Sequence, residues 1–286
     1  MDSSIADAYA MIAGMKQNIL ILGNGYIANR MHDINGWPIC ADKIKSYADL
    51  ENIVKKYSPD VIISAIGFTG TPNTDACEQH IEETISANVF VPVYLAELSF
   101  RKPDIHIIHL ASGCIFKGSG PYTEDDHGDY EGLFYSRTKI YAEELLNYAV
   151  RLGKKITLAR IRIPVDNIPS PKNIITKVAG YKTIIDIPNS VTYIPTLARM
   201  LSFLIEKKVY GIVNTVNTGT LRYPPLMDEY KKYDTNFQYS VVSLKDIGVA
   251  RTNLELVPKR LADLGFENEN INDLIPEIMR EYFAKR

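Results

Sequence analysis

Residues 18–28 read NILILGNGYIA, and this stretch decides the fold. Asn18–Leu22 is a short apolar run that stops at a glycine, the pattern of a buried strand. Gly23-Asn24-Gly25-Tyr26-Ile27-Ala28 follows as G-x-G-x-x-A, and a helix is expected over Tyr26–Ile34. In that setting each small residue has a task. Gly23 permits a tight turn, Gly25 lets backbone approach a pyrophosphate, and Ala28 lets the helix pack closely on the strand. The helix N-terminus attracts the anion. The motif therefore predicts a dinucleotide site with Gly23, Gly25, Tyr26 and Ile27 as cofactor contacts. A tight turn without a ligand is the alternative.

Outward from this turn, strands and helices alternate. Strands are expected at Trp37–Ala41, Asp60–Ala65, Ile105–Ala111 and Lys155–Ile163, and helices at Ser46–Tyr57, 73–100 and Phe134–Leu152. Short, nearly all-apolar strands between helices indicate a parallel sheet covered on both faces. Right-handed crossovers make it α/β and doubly wound, of the Rossmann type. Three prolines within Pro164–Pro171 interrupt the pattern. A helix restarts near Asn173, another spans Thr196–Lys207, and Ile212–Val216 is one more strand. The expected organisation is a leader at 1–15, poorly ordered, and a dinucleotide-binding domain at 16–163. Residues 164–286 form mainly a smaller substrate lobe, with about 192–218 returning to the first domain.

Composition narrows the class. The 286 residues are 46% apolar and 23% charged, ordinary globular usage that excludes a disordered or fibrous chain. Net charge is −2, so no basic field points to nucleic acid or an anionic membrane. No apolar run approaches the roughly 18 residues of a membrane span. Three scattered cysteines (Cys40, Cys77, Cys114) without a C-x-x-C argue against a disulfide scaffold or zinc site. They suit a reducing, cytoplasmic setting. His106 and His109 are three apart on a strand and face opposite sides, so no metal pair is expected. Glu124, Asp125 and Asp126 form an acidic run expected to be solvated, and Cys40 and Cys77 are expected to be structural.

The second strand ends Cys40-Ala41-Asp42-Lys43. Asp42 stands where an acid would bind the ribose hydroxyls of NAD, whereas Lys43 can pair with the 2′-phosphate of NADP. Arg30 is a second cation. Tyr135 and Lys139 form Y-x-x-x-K on an expected helix, where residues four apart share a face. The lysine cation lowers the tyrosine pKa, so the phenol can exchange a proton with a carbonyl oxygen. With 18 tyrosines in the chain the pair alone carries little, and an amphipathic pair is the alternative. Ser112 gives it weight, because it ends the strand Ile105–Ala111 at the carboxyl edge where ligands bind.

The glycine turn, Ser112 and Tyr135/Lys139 together resemble the extended short-chain dehydrogenase/reductase family. The resemblance makes Lys139 a cofactor contact too, along with Ala65, Gly67 and Asn88; Ser64 stands where the family commonly has asparagine. Six blocks go further: GFTGTPNTDACE, ASGCIF, GLFYSRTKIYAEELL, RIRIP, PKNIITKVAGY and DIPNSVT. In this order they resemble the nucleotide-rhamnose synthases, or epimerase/reductases, of plants and giant viruses. The resemblance covers residues 17 to about 220 and thins beyond. One departure is the turn itself, G-x-G-x-x-A where the plant type carries G-x-x-G-x-x-G.

That resemblance implies UDP-4-keto-6-deoxy-D-glucose as substrate, epimerised at carbons 3 and 5 and reduced at carbon 4 to UDP-L-rhamnose. NADPH is the implied donor, with NADH left open. Cys114, two residues past Ser112 and on the same strand face, and Lys177 are the implied acid/base pair. On residues alone, Cys114 is a small buried hydrophobe and Lys177 a solvated helix lysine. Thr71, Asn73, Asn173 and Arg251 are the expected substrate contacts, with Arg160 and Arg162 weaker candidates for a diphosphate. A homodimer is compatible with all of this. Two other functions stay open: a reductase that relies on a separate epimerase, and a non-catalytic dinucleotide-binding subunit.

Overall fold

The computed structural model describes residues 17–243 and 253–286. The leader expected at 1–15 and Arg251 lie outside these residues. β1 (Ile19–Leu22), α1 (Tyr26–Asn35), β2 (Ile39–Cys40), α2 (Tyr47–Tyr57) and β3 (Val61–Ser64) alternate as the apolar runs predict. Ser46 starts α2 by accepting from the Asp49 N–H while the Asp49 carboxylate answers the Ser46 N–H, so two orphan donors are satisfied. The helix expected over 73–100 is broken into a 3-10 turn (Thr74–Glu78), α3 (Ile81–Ile85), a π turn (Ser86–Phe90) and α4 (Val91–Arg101). β4 (His106–Ser112), α5 (Phe134–Arg151) and β5 (Ile156–Ile161) follow. Then come β6 (Pro164–Val165), α6 (Ile174–Ala179), β7 (Thr183–Ile185), β8 (Thr192–Tyr193), α7 (Ile194–Glu206) and β9 (Gly211–Asn214). The chain closes with α8 (Tyr223–Lys231), β10 (Ser240–Val242), α9 (Lys259–Asp263) and α10 (Ile271–Ala284).

Six strands form one parallel sheet in the order β2-β1-β3-β4-β5-β9. The chain steps outward from β1 to β2, then crosses back over β1 to β3. The order therefore reverses between β1 and β3, and ligands of such sheets bind outside the carboxyl ends at that point. No described strand lies beyond β2, and Ala41, Asp42 and Lys43 after it are exposed. One sheet face is covered by α2, α4 and α5 through Leu50, Ile53, Leu95, Leu98 and Leu146. The other is covered by α1 and α7 through Ala28, Met31, Leu197, Leu201 and Leu204. Burial on both faces is the reason the strands read as apolar runs rather than alternating ones.

A third apolar cluster joins Val165, Ile175 and Val178 to Leu226, Ile275 and Met279. It is the core of the C-terminal portion, whose β6–β8 and β7–β10 pairs are also parallel. Among the described residues no helix is long and apolar enough to cross a membrane.

Two charged groups, one expected to be solvated and one to meet a ligand, are inside. Glu124 is buried and its Oε1 accepts from the backbone N–H groups of Asn214, at 3.1 Å, and Arg260, at 3.3 Å. The acidic run is thus a clamp on β9 at its first residue rather than a solvated patch. Arg160, a candidate for a diphosphate, is fully buried. Its Nε and Nη2 grip both Glu143 oxygens at 2.9 and 2.6 Å, and it donates to Thr123 O and Asp126 O. Four of its five N–H donors are taken and the side chain is out of a ligand's reach.

Breaking a buried pair strands the surviving charge. Glu143→Ala is expected to lower unfolding free energy by about 3–5 kcal/mol, read from the midpoint of urea unfolding.

Candidate active site

The glycine turn has the shape a pyrophosphate requires. Gly23 sits at φ +99°, and a Cβ there would lie 3.0 Å from Ile66 Cγ1. At Gly25, by contrast, the space a Cβ would take is open. Gly25 is the N-cap of α1 and offers no side-chain cap, so the first N–H groups of the helix keep their capacity to bind an anion. This open cradle at the switch point fits a dinucleotide. Gly67, exposed, and Ala65, half-buried, follow β3 beside it. Lys43 is exposed just after β2, and its pairing with a 2′-phosphate is proposed.

Three expected contacts have other partners. The Tyr26 hydroxyl donates to Asp166 Oδ2 at 2.7 Å, so only its backbone faces the cradle; burial first, then Asp166, pushes its phenol well up. Arg30 donates to Asp166 from Nε at 2.6 Å and Nη2 at 3.2 Å, which removes it from the contest for a 2′-phosphate. Asn88 is fully buried. Its Oδ1 accepts from Phe68 N at 2.8 Å, and its Nδ2 donates to Phe68 O and Thr138 Oγ1. Asn88 is therefore not a cofactor contact: both ends of its amide tie the loop after β3 to α5. The π turn supplies it.

Ser112 ends β4, and Tyr135 and Lys139 lie on the buried face of α5. Glu78 Oε1 fixes the start of α5 by accepting from Phe134 N at 2.6 Å. Burial pushes the Tyr135 phenol well up and the nearby Cys114 adds to this, while a hydrogen bond with Ser112 pulls it back. Burial pushes the Lys139 ammonium down to about 8, opposed by the Glu143 carboxylate. Lys139 Nζ donates to Leu110 O at 3.1 Å.

Next to this trio opens a cavity of about 420 Å³. Cys114, Ser136, Arg162, Lys177 and Asn189 are among its lining residues. The expected shared strand face does not exist, because β4 stops at Ser112. Cys114 instead follows in a turn in which its N–H donates to Ser112 Oγ at 3.1 Å. Arg162 Nη1 donates to Cys114 Sγ at 3.1 Å, and Nη2 donates to Asn189 Oδ1 at 2.5 Å. The guanidinium thus meets the cysteine rather than standing as an isolated diphosphate clamp. Lys177, on α6, is half-buried, and burial pushes its ammonium down.

Of the expected substrate contacts, Asn73 lines the cavity, although its side chain also accepts from Asp75 N at 2.9 Å. Thr71 is exposed, next to the lining residue Pro72. Asn173 is corrected: it is fully buried and caps α6 through Ile175 N, while donating to Asp166 O and Ile168 O. A side chain so occupied cannot bind substrate. Sequence reasoning missed Asp166 and Asn189, and nothing in their spacing could have revealed them. Asp166 meets Arg30 across 136 positions.

The cradle, the Ser-Tyr-Lys trio and the sheet order define an enzyme of the extended short-chain dehydrogenase/reductase class. Within it, the chain belongs to the RmlD substrate binding domain family, whose model matches residues 30–220. It is 34% identical over 235 residues to the bifunctional dTDP-4-dehydrorhamnose 3,5-epimerase/dTDP-4-dehydrorhamnose reductase of Arabidopsis thaliana, covering 77% of this chain and 75% of that one. Three longer trifunctional Arabidopsis relatives also match, and the chain spans about a third of their length, 34%. The fold is shared with the L780 UDP-rhamnose synthase of Acanthamoeba polyphaga mimivirus, at TM-score 0.84 and 23% identity over 93% of this chain and all of that one (100%). It is shared too with the dTDP-4-dehydrorhamnose reductase of Bacillus anthracis in complex with NADP, at TM-score 0.76 and 20% identity over 95% and 100%.

Lys43 is solvent-exposed, so its pairing with a 2′-phosphate is partly screened. Lys43→Ala is expected to shift the NADPH/NADH preference in kcat/KM by about 10-fold toward NADH. An unchanged ratio would make Lys43 a bystander.

Proposed function

We propose that the chain converts UDP-4-keto-6-deoxy-D-glucose to UDP-L-rhamnose with NADPH, epimerising carbons 3 and 5 and reducing carbon 4. The observation that carries this function is the shared cavity: Cys114 and Lys177 line one space, together with Ser136 from the helix of Tyr135 and Lys139. A reductase needs the tyrosine and its lysine. It has no use for a second pair of proton-transfer groups facing the same substrate.

Epimerisation requires a proton to leave a carbon beside the ketone and to return on the opposite face. The enolate oxygen formed in between needs donors, and the Ser112 and Tyr135 hydroxyls supply them. Cys114 and Lys177 come from different elements, the turn after β4 and α6, which suits attack from two sides of a sugar ring. Arg162 faces the sulfur that carries negative charge once Cys114 has given up its proton. The lowered Lys177 ammonium leaves more neutral amine to accept one.

Reduction reuses the oxygen site. NADPH, when bound in the glycine cradle, supplies hydride to carbon 4. Tyr135 gives its proton to the carbonyl oxygen, and the Lys139 ammonium stabilises the phenolate left behind. Ser112, through its hydrogen bond to the phenol, keeps both hydroxyls on one oxygen.

The setting is proposed as cytoplasmic, supported by three free thiols. A homodimer is part of the proposal. Val93 and Phe100 on α4 and Tyr141 and Tyr148 on the adjacent α5 are exposed apolar surface, and light scattering of the purified chain should give twice the monomer mass.

Incubation with UDP-4-keto-6-deoxyglucose and NADPH should give UDP-L-rhamnose, identified by NMR. Tyr135→Phe should cut NADPH oxidation by about 100-fold or more. Cys114→Ser and Lys177→Ala should each block entry of solvent deuterium at carbons 3 and 5 while still binding NADPH and reducing a pre-epimerised ketone. Wild-type deuterium entry in Cys114→Ser would leave the enzyme a reductase alone.

A further inference from the structure

We propose that His109 is a positioning residue for Lys139, a neutral acceptor that pins the ammonium from β4 and leaves its remaining N–H for the reacting groups. Its role rests on the assignment of Lys139 made above.

His109 is 1% exposed and lies three residues before Ser112. Its Nε2 is 3.4 Å from Lys139 Nζ, and its Nδ1 is 3.3 Å from Ser64 Oγ. An ammonium can only donate, so Nε2 must present its lone pair. A neutral ring then carries its proton on Nδ1 and gives it to Ser64. Ser64 is the residue that pairs with His109 across the parallel register of β3 and β4. The sheet itself therefore sets the tautomer. Of the three ammonium donors, one goes to Leu110 O and one to His109.

Charge keeps the ring in this state. Burial and the adjacent Lys139 hold the imidazole well below its ordinary value, which favours the neutral ring. The titratable groups that act on Lys139 are Glu143 on α5 and His109 on β4, and Glu143 is itself paired with Arg160. Only His109 and Leu110 O accept directly from Nζ among the described residues.

His106 is the internal control. It lies on the same strand and is buried too, but it faces Thr157 Oγ1 at 2.7 Å and packs edge-on against Tyr210. It touches nothing at the site.

The test has two arms. In the wild-type chain, 15N NMR of the histidines should show His109 neutral with its proton on Nδ1; an Nε2–H tautomer or an imidazolium overturns the proposal, and no variant is needed. In His109→Leu the ammonium loses an acceptor and becomes less favourable. Lys139, followed by its 13Cε shift, should then titrate about one pH unit lower, and the alkaline limb of kcat for NADPH oxidation should move with it. Turnover should fall about 10-fold with the sugar-nucleotide KM little changed. His109→Gln, which returns an acceptor near the Nε2 position, should restore both, and His106→Leu should leave the Lys139 titration where it was. An unmoved titration in folded His109→Leu, or no rescue by glutamine, sinks the role. If the wild-type chain does not turn over the proposed sugar nucleotide, the tautomer and the lysine titration still decide about His109. If His109→Leu does not fold, the wild-type tautomer and His109→Gln decide.

Discussion

The Asp166 carboxylate is completely buried, and the relation between the cofactor cradle and the substrate cavity depends on how it is satisfied. A carboxylate taken out of water costs several kcal/mol unless charge and hydrogen bonds compensate it. Here Arg30 supplies the charge through Nε and Nη2, the Tyr26 hydroxyl donates at 2.7 Å, and Asn167 N donates at 2.9 Å. Tyr26 and Arg30 belong to the helix that opens at the glycine turn. The backbone around Asp166 is held by Asn173, which at the same time caps the helix carrying Lys177. A single buried anion thus links the N-terminus that opens at the glycine turn to the helix that carries Lys177, the proposed proton-transfer group. Its partners cannot move apart without leaving a charge unpaired in the interior.

Parallel pairing supplies the second constraint. Every strand of the main sheet ends at the same edge, so β1, β3 and β4 deliver the glycine turn, the Ala65–Gly67 loop and Ser112 to one rim. α5 brings Tyr135 and Lys139 to that rim from the side. Asn88 joins the loop to α5 from a π turn, a local widening found often at functional sites. The cavity next to the rim is then walled by the turn after β4 on one side and by α6 on the other. In the proposed mechanism two chemistries share one carbonyl oxygen, because the groups assigned to stabilise its charge and those assigned to move carbon-bound protons lie on different elements.

Much of the site was legible because its residues act close to their neighbours in the chain. The glycine turn, the four-residue spacing of Tyr135 and Lys139, and the strand-end position of Ser112 are local features that a strand-turn-helix pattern exposes. Asn173 and Asn88 were misread for the opposite reason. A polar residue in a motif looks the same whether it meets a ligand or satisfies buried backbone, and only its neighbours distinguish the two. Glu124 read as a solvated acid, and Arg30 and Arg160 as phosphate-binding cations, because the buried groups that hold them are remote in sequence. Their partners lie 90, 136 and 17 positions away.

The sequence by itself determined the alternating α/β order, the parallel sheet, the anion-binding turn and the catalytic helix face, since each follows from a periodicity or spacing of a few residues. Tertiary structure alone decided which buried acids meet which bases, that Cys114 lies beside Arg162, that Lys139 rests on His109, and which side chains line the cavity. These depend on strand register and on crossovers that bring distant segments together. A buried charge or donor takes its function from whatever the fold places within about 3 Å of it, and a linear pattern does not carry that distance.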